Sequence, residues 1–334
     1  MHDAHLSPSP AHDSSRRRLL LAGIAGTATL ATGGALAQSA FPTQPVKIVV
    51  PFGPGGFADI TARQVAQLMG DKLGHQVLIE NRPGAGGVVA AQAVLSAPRD
   101  GHTLILFSNG TTIATTLLKL PYDPERDFAP VSTMAYFDLL LLASAKGPFG
   151  DLRSLLAEGR KRQLTFGAIN PGSTQNLSAE LFKRVAKVDA TVVPFKTSGD
   201  VMTALQRGDV DLGFETYTAL RGSIDAGLLK PLACTGSSRT EWLPNVPTVK
   251  EAGVEGYDVT GWNAFYVAAG SPEVAVKVYN DTLRQVLATP ELRRRFLEMG
   301  ADPKASTPTE MAAIFERDKR KWAQVIQQAN IKVS

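Results

Sequence analysis

Short apolar runs and helix-like spacing alternate along the chain from about residue 41. Mostly apolar runs at 46–50, 77–80 and 103–107 predict buried strands, and the intervals 59–70 and 87–97 have the apolar spacing of helices. Apolar strands separated by helices of about ten residues are typical of a parallel sheet covered on both faces. The first third of the chain is therefore predicted to form an α/β unit.

A second α/β unit is predicted at about residues 151–238, with strands at 164–168, 192–195, 211–214 and 232–235. Polar residues open its predicted helices at 172–174 and 197–200. A further strand follows, and the chain ends in helices whose apolar residues are expected to pack against the first unit. These last predicted elements are the strand 262–267 and the helices 272–287, 290–299 and 308–329.

Glycine-rich turns follow the first two predicted strands. One turn, 51–58, precedes Asp59, and the other occupies residues 81–87. Parallel strands end at the same edge of a sheet, so both turns and the polar residues 108–112 are expected together, where open α/β sheets bind ligands. Helix N-termini there offer backbone N–H groups to a carboxylate or phosphate. Such a site suits a dinucleotide-dependent enzyme or a receptor that closes around a small anion.

The first 37 residues have the pattern of a secretory signal. Three arginines at 16–18 precede an apolar run at about 19–31, and Ala35-Leu36-Ala37 forms an A-x-A cleavage site. The adjacent arginines favour the twin-arginine route. The run contains glycines and threonines and is shorter than the roughly 20 apolar residues of a membrane span. We therefore expect export, cleavage near Ala37 and a periplasmic mature protein.

Composition argues against several other functions. The formal net charge is +4, and no basic block interleaved with aromatics follows the signal, so nucleic acid binding is not expected. Cys234 is the only cysteine, which rules out an intrachain disulfide, and it lies in a predicted buried strand. Beyond the signal the histidines are His75 and His102, too few for a His/Cys metal cluster or a convincing Ser-His-Asp arrangement. We expect no metal.

An exported NAD-type oxidoreductase, dependent on a dinucleotide, remains the alternative. Residues 53–58 fit the pattern G-x-G-x-x-A, and Glu80 ends the next strand, about where a dinucleotide fold has its ribose-binding acid. Against this, Pro54 removes an N–H group from the turn, and a second glycine-rich turn follows strand two. No His, Lys or Tyr stands out as an acid–base catalyst. The balance favours a binding protein without a cofactor.

Several ordered sequence blocks resemble those of the Bug-type, or TctC-like, periplasmic substrate-binding receptors of the tripartite tricarboxylate transporter family. The resemblance covers nearly all of the mature chain. It implies a type II periplasmic-binding-protein fold, with two α/β lobes, a two-stranded hinge and an interlobe ligand cleft. Lobe 1 would comprise residues 38–140 and 255–334, and lobe 2 residues 141–254. The blocks are 45–56 with Asp59, 80–87, 98–104, 122–124 with 127–131, 193–196 and 243–253.

This resemblance implies an extracytoplasmic solute receptor and not an enzyme. It would bind a small carboxylic acid by hinge closure, partly through bridging waters, and deliver it to the membrane permease subunits of the transporter. We expect a monomer. The implied ligand contacts are Gly55, Gly56, Asp59, Gly84, Ala85 and Ser108 in the first lobe and Gly172, Ser173, Thr174, Ser198 and Glu215 in the second.

Two positions depart from the family pattern. Asn176 stands where the family often has histidine, and Glu215 where it often has aspartate. Both are expected near the cleft. We hypothesise that Glu215 favours a cationic or hydroxyl-bearing group at the far end of the ligand. Asp59 is expected to cap its helix or to orient a water molecule.

Overall fold

The structure is a computed structural model, and it describes residues 41–170 and 172–331. The predicted signal peptide, its twin-arginine pair and its cleavage site lie outside the described residues. Within the described part of the chain, no helix is long and apolar enough to cross a membrane.

The described chain alternates strands and helices, and the predicted α/β class is confirmed. The strands are β1 (Val46–Val50), β2 (Val77–Asn81), β3 (Thr103–Ser108), β4 (Phe128–Ser144), β5 (Leu164–Ile169), β6 (Ala190–Phe195), β7 (Leu212–Thr216), β8 (Leu229–Cys234) and β9 (Thr260–Ala268). The helices are α1 (Phe57–Leu73), α2 (Val88–Leu95), α3 (Asn109–Leu117), α4 (Leu152–Glu158), α5 (Thr174–Val185), α6 (Ser198–Arg207), α7 (Tyr217–Asp225), α8 (Glu273–Leu287), α9 (Pro290–Glu298) and α10 (Pro308–Ala329).

The strands follow the order β2-β1-β3-β9-β4-β7-β5-β6, and β8 also pairs with β4. The strand β4 is shared between two halves of this sheet. Its residues 128–138 pair with β9, whereas residues 139–144 pair with β7 and β8. We call the part from β2 to β9 the first half-sheet and the part from β7 to β6, with β8, the second half-sheet. In each half three strands are parallel: β1, β2 and β3, and β5, β6 and β7.

Thr235 joins the strands where the chain passes between the two half-sheets. The chain enters the second half-sheet within β4 and returns between β8 and β9. The buried Thr235 hydroxyl accepts a hydrogen bond from the Leu139 amide (2.9 Å) and donates one to the Val259 carbonyl (2.6 Å). One side chain therefore ties the outgoing strand to the returning segment. The predicted residue boundaries of the two lobes stay a prediction.

The C-terminal helix α10 packs against both half-sheets. Met311 and Phe315 lie in a cluster with Trp262 of β9, as predicted for helices covering the first unit. Trp322 and Ile326 instead lie in the core of the second half-sheet, with residues of α5 and β7. The prediction that the whole helix packs against the first unit is wrong, because a 22-residue helix is about 33 Å long and reaches across both halves.

Candidate functional site

Six helices begin directly after parallel strands. Helices α1, α2 and α3 follow β1, β2 and β3, and α5, α6 and α7 follow β5, β6 and β7. The carboxyl ends of parallel strands share an edge, so each half-sheet presents three helix N-termini along one edge. The two edges meet where the Asn109 amide nitrogen donates to the Thr174 hydroxyl at 2.9 Å. Asn109 is a bridging residue that the sequence analysis did not select, although it directly follows Ser108.

The first glycine loop is held by the buried carboxylate of Asp59. This carboxylate accepts hydrogen bonds from the Gly55 amide (2.8 Å), from Asn81 (2.8 Å) and from Arg63 (3.1 Å). Burial alone would raise the pKa of Asp59, but these hydrogen bonds and the Arg63 charge together hold that pKa below its ordinary value. Asp59 thus ties the turn before α1 to the end of β2, and the Gly55 amide hydrogen is used within the protein.

Gly55 and Gly56 differ in what their positions require. Gly55 has φ +82°, a left-handed conformation that favours glycine. Gly56 is the N-cap residue of α1 in an extended conformation, and a Cβ atom there would meet little besides the Gly53 carbonyl oxygen at 3.8 Å. Open space at the N-terminus of α1 leaves room for a ligand to approach the backbone.

The second glycine loop enters α2 through a short 3₁₀ turn, Ala85–Gly87. The Gly87 amide donates to the Gly84 carbonyl at 3.0 Å. Gly86 has φ +59°, and a Cβ atom there would collide with the Leu118 side chain, so the close path of this loop requires glycine. Binding of a ligand by Gly84 and Ala85 stays a prediction.

Ser108 ends β3 and caps α3. Its hydroxyl accepts from the Gly110 amide (3.2 Å), and its own amide donates to the Thr111 hydroxyl (3.2 Å), which together form a capping box. A hydroxyl that accepts one hydrogen bond can still donate its hydrogen. Ser108 can therefore cap the helix and offer a hydrogen bond to an anion.

The loop before α5 is organised by Ser173 and Asn176. The Ser173 hydroxyl accepts from the Asn176 amide (3.1 Å) and donates to the Ile169 carbonyl (2.5 Å). The Asn176 side chain accepts from the Gly172 amide (3.1 Å) and is buried. Asn176 thus fixes the loop, whereas Thr174 contacts the first half-sheet through Asn109.

Glu215 is fully buried at the end of β7 and connects the starts of α5 and α6. Its carboxylate accepts hydrogen bonds from Ser198 (2.9 Å), from the Thr216 amide (3.0 Å) and, more weakly, from Gln175 (3.4 Å). Burial raises the pKa of Glu215, and these hydrogen bonds only partly oppose that rise. The predicted contacts Ser198 and Glu215 are therefore brought together, 2.9 Å apart.

The described residues include no group of three or more His, Cys, Asp and Glu side chains placed to hold a metal ion. Cys234 is fully buried in β8, as predicted, and burial raises the pKa of its thiol to about 11. Such a thiol is not ionised near neutral pH and is a poor nucleophile. The groups at the strand ends that can bind a ligand are therefore hydrogen-bond donors and helix N-termini.

Comparison with known proteins agrees with this geometry. The tripartite tricarboxylate transporter family receptor pattern matches residues 61–331. The protein BugT of Bordetella pertussis is 30% identical over 311 residues, which cover 92% of this chain and 95% of BugT. A Rhodopseudomonas palustris protein solved with adipate is 34% identical with a TM-score of 0.75, covering 87% of this chain and 99% of that one. MatC from the same organism, with bound malate, is 33% identical with a TM-score of 0.71, covering 86% and 100%.

These likenesses confirm the predicted type II periplasmic-binding-protein fold and favour the receptor prediction over the dinucleotide-dependent oxidoreductase. The matched family is a class of periplasmic solute-binding receptors, and its model covers most of the sequence. The chain belongs to the receptor family of the tripartite tricarboxylate transporters.

Proposed function

We propose that the mature chain is a periplasmic receptor that acts by binding and not by catalysis. It binds a small carboxylic acid between the two half-sheets and delivers it, as a monomer, to the membrane permease subunits of a tripartite tricarboxylate transporter. Export uses the twin-arginine signal, which is cleaved near Ala37. The proposal depends on one observation: the sheet edges of the two half-sheets, each with three helix N-termini, come into contact at the hydrogen bond between Asn109 and Thr174.

The physical argument is electrostatic. A helix N-terminus stabilises a nearby anion by about 0.3–1 kcal/mol, and by more where water is excluded. Up to six such termini lie along the two edges, and Ser108 and Thr174 add hydroxyl groups. The related R. palustris proteins carry adipate and malate, which are both small carboxylates.

The eleven positions selected from the sequence remain the proposed ligand contacts, with two kinds of role. Gly56, Gly84, Ala85, Ser108 and Thr174 contact the ligand directly. Gly55, Asp59, Gly172, Ser173, Ser198 and Glu215 act through the hydrogen bonds that shape the loops, and a ligand reaches them directly or through water.

The test is a melting-temperature and calorimetry screen of the purified protein against mono- and dicarboxylates, amino acids, aromatic acids and NAD. We expect at least one carboxylate to stabilise the protein, by about 2.7 kcal/mol at a concentration 100-fold above its Kd. Ser108→Ala should lose both a helix cap and ligand affinity. Thr307→Ala, which removes a similar capping box from α10, should lose only stability. Stabilisation by NAD and by no carboxylate would reverse the proposal.

Glu215 supports a narrower hypothesis about the ligand. A buried carboxylate held by neutral donors repels a second carboxylate but attracts an ammonium or hydroxyl group. Glu215→Gln keeps the size of the side chain and removes its charge. The hypothesis requires the ranking of ligands in the screen to shift toward plain dicarboxylates in this variant; an unchanged ranking contradicts it.

A further inference from the structure

Asn263 of β9 is a buried amide without a protein acceptor. Asn263 is only 2% exposed, and its side-chain nitrogen has no hydrogen-bond partner among the described residues. Leaving a buried donor unpaired is destabilising, and most buried polar atoms in folded proteins are paired. The position therefore calls for an acceptor that the rest of the described chain does not supply.

Other buried asparagines of the described chain are paired. The Asn280 amide nitrogen donates to the carbonyls of Val131 (2.8 Å) and Ser306 (2.7 Å), and the Asn109 amide nitrogen donates to the Thr174 hydroxyl (2.9 Å). The unpaired nitrogen of Asn263 is thus not a general property of asparagine in this fold.

The register of the sheet puts Asn263 at the edge where the helices begin. Asn263 lies directly opposite Ser108 of β3. Residues directly opposite one another in an antiparallel pair project from the same face, with Cβ atoms about 4.5–5.5 Å apart. Ser108 is the N-cap of α3 and a proposed ligand contact, so Asn263 lies beside the N-terminus of α3.

The face from which Asn263 projects is the one covered by α1. Residues two apart on a strand share a face, so Asn263 projects with Gly261 and Phe265. Phe265 packs in the core that includes α1, and Gly261 lies against Phe137, whose ring packs edge-on against Phe57 at 5.0 Å. Phe57 is the first residue of α1 and directly follows the first glycine loop.

We infer that Asn263 is a further ligand-recognition residue, which donates a hydrogen bond from its side-chain amide to a carboxylate or carbonyl oxygen of the bound acid. The inference rests on the proposed function. A carboxylate only accepts hydrogen bonds, and an asparagine amide offers two N–H donors. A hydrogen bond to a charged acceptor in a buried site is stronger than a neutral one, so this contact selects an acid over its amide.

The experiment compares Asn263→Leu and Asn263→Asp with the matched control Asn280→Leu. Urea unfolding without ligand measures stability, and calorimetry measures affinity for adipate, malate and the best acid of the screen. Asn263→Leu should be at least as stable as wild type, because no protein hydrogen bond is lost, and should bind the acid about tenfold more weakly or worse. Asn263→Asp, which keeps the shape and adds a like charge, should bind still more weakly. Asn280→Leu should lose stability and keep its affinity.

Wild-type affinity in both Asn263 variants would overturn the inference and leave the proposed function intact. A loss of stability in Asn263→Leu like that of Asn280→Leu, with unchanged affinity in Asn263→Asp, would identify a structural asparagine that holds a buried water. No binding of any acid by the wild-type protein would overturn the inference and the proposed function together.

Discussion

Asp138 is expected to destabilise the folded protein as pH rises. It pairs with Thr260 of β9 and is the last residue of β4 before that strand enters the second half-sheet. It is 8% exposed and lines a cavity of about 220 Å³ together with Trp242 and Thr260. Burial raises the pKa of this carboxyl from 3.8 to about 7. Asp258 acts in the same direction, and hydrogen bonds from Thr260 and the Gly236 amide oppose the rise only in part.

The magnitude follows from the two pKa values of Asp138. In the unfolded chain the carboxyl ionises near 3.8, and in the folded protein near 7. Between these values the folded state holds a proton that the unfolded state has released, so this group lowers the free energy of unfolding as pH rises. The loss begins near pH 4 and is complete above about pH 7. It amounts to on the order of 4 kcal/mol, which water entering the cavity would reduce.

The perturbation is Asp138→Asn, and the assay is urea unfolding of both proteins from pH 5 to pH 8.5. We expect the variant to gain stability relative to wild type as pH rises, with the largest difference above pH 7. Other carboxylates titrate in both proteins, so the difference between the two curves isolates Asp138. The exposed Asp281→Asn, which loses an ion pair with Lys277, should differ from wild type by only a small amount. A pH-independent difference for Asp138→Asn would refute the reasoning.

Two further substitutions test contacts that join distant segments. Thr235→Val keeps the shape of the side chain but leaves the Leu139 amide and the Val259 carbonyl unpaired. The free energy of unfolding in urea should fall by about 1–3 kcal/mol for each group. An unchanged urea midpoint of unfolding would contradict the bridging role of Thr235. Trp262→Phe removes the 2.8 Å hydrogen bond to the fully buried Asp318 and should lower the unfolding free energy by about 1–3 kcal/mol. Wild-type stability would show that Arg317 and Lys321 satisfy this carboxylate without Trp262.

The sequence predicted the local elements better than their arrangement. The prediction of a strand at 46–50 is confirmed by β1, and the helix predicted at 308–329 coincides with α10. The longest strand, β4, was not predicted. It contains Pro130 and two bulges, and proline within a run argues against a central strand. The placement of β9 between β3 and β4 also escaped prediction, because pairing between distant segments leaves no periodic signal in either of them.

The same limit applies to the candidate site. Glycine-rich turns and helix caps are local patterns, so the sequence analysis identified the loops around Gly55, Gly84 and Gly172. Contacts between distant segments were beyond it. Asn109 meets Thr174 across 65 positions, and Asn263 is brought opposite Ser108 by sheet register alone. The sequence alone does not show which residues lie beside an asparagine in an apolar strand, so it could not single out Asn263 as a site residue.

The proposed anion site contains two carboxylates of its own, Asp59 and Glu215, and their hydrogen bonds explain how the site could still bind an acid. The charge of Asp59 is compensated by Arg63 and by two further donors, the Gly55 amide and the Asn81 side chain, and all three contacts fix the first glycine loop. Glu215 has only neutral donors among its hydrogen-bond partners, and burial raises its pKa more than these hydrogen bonds lower it. An acid bound near α1–α3 is therefore attracted by helix N-termini. At the α5–α6 side the proposed site would bring the same acid near Glu215, whose charge would disfavour a second carboxylate and favour a hydroxyl or ammonium group. We therefore expect the asymmetry of the two edges, and not their number of donors, to decide which acids the protein binds.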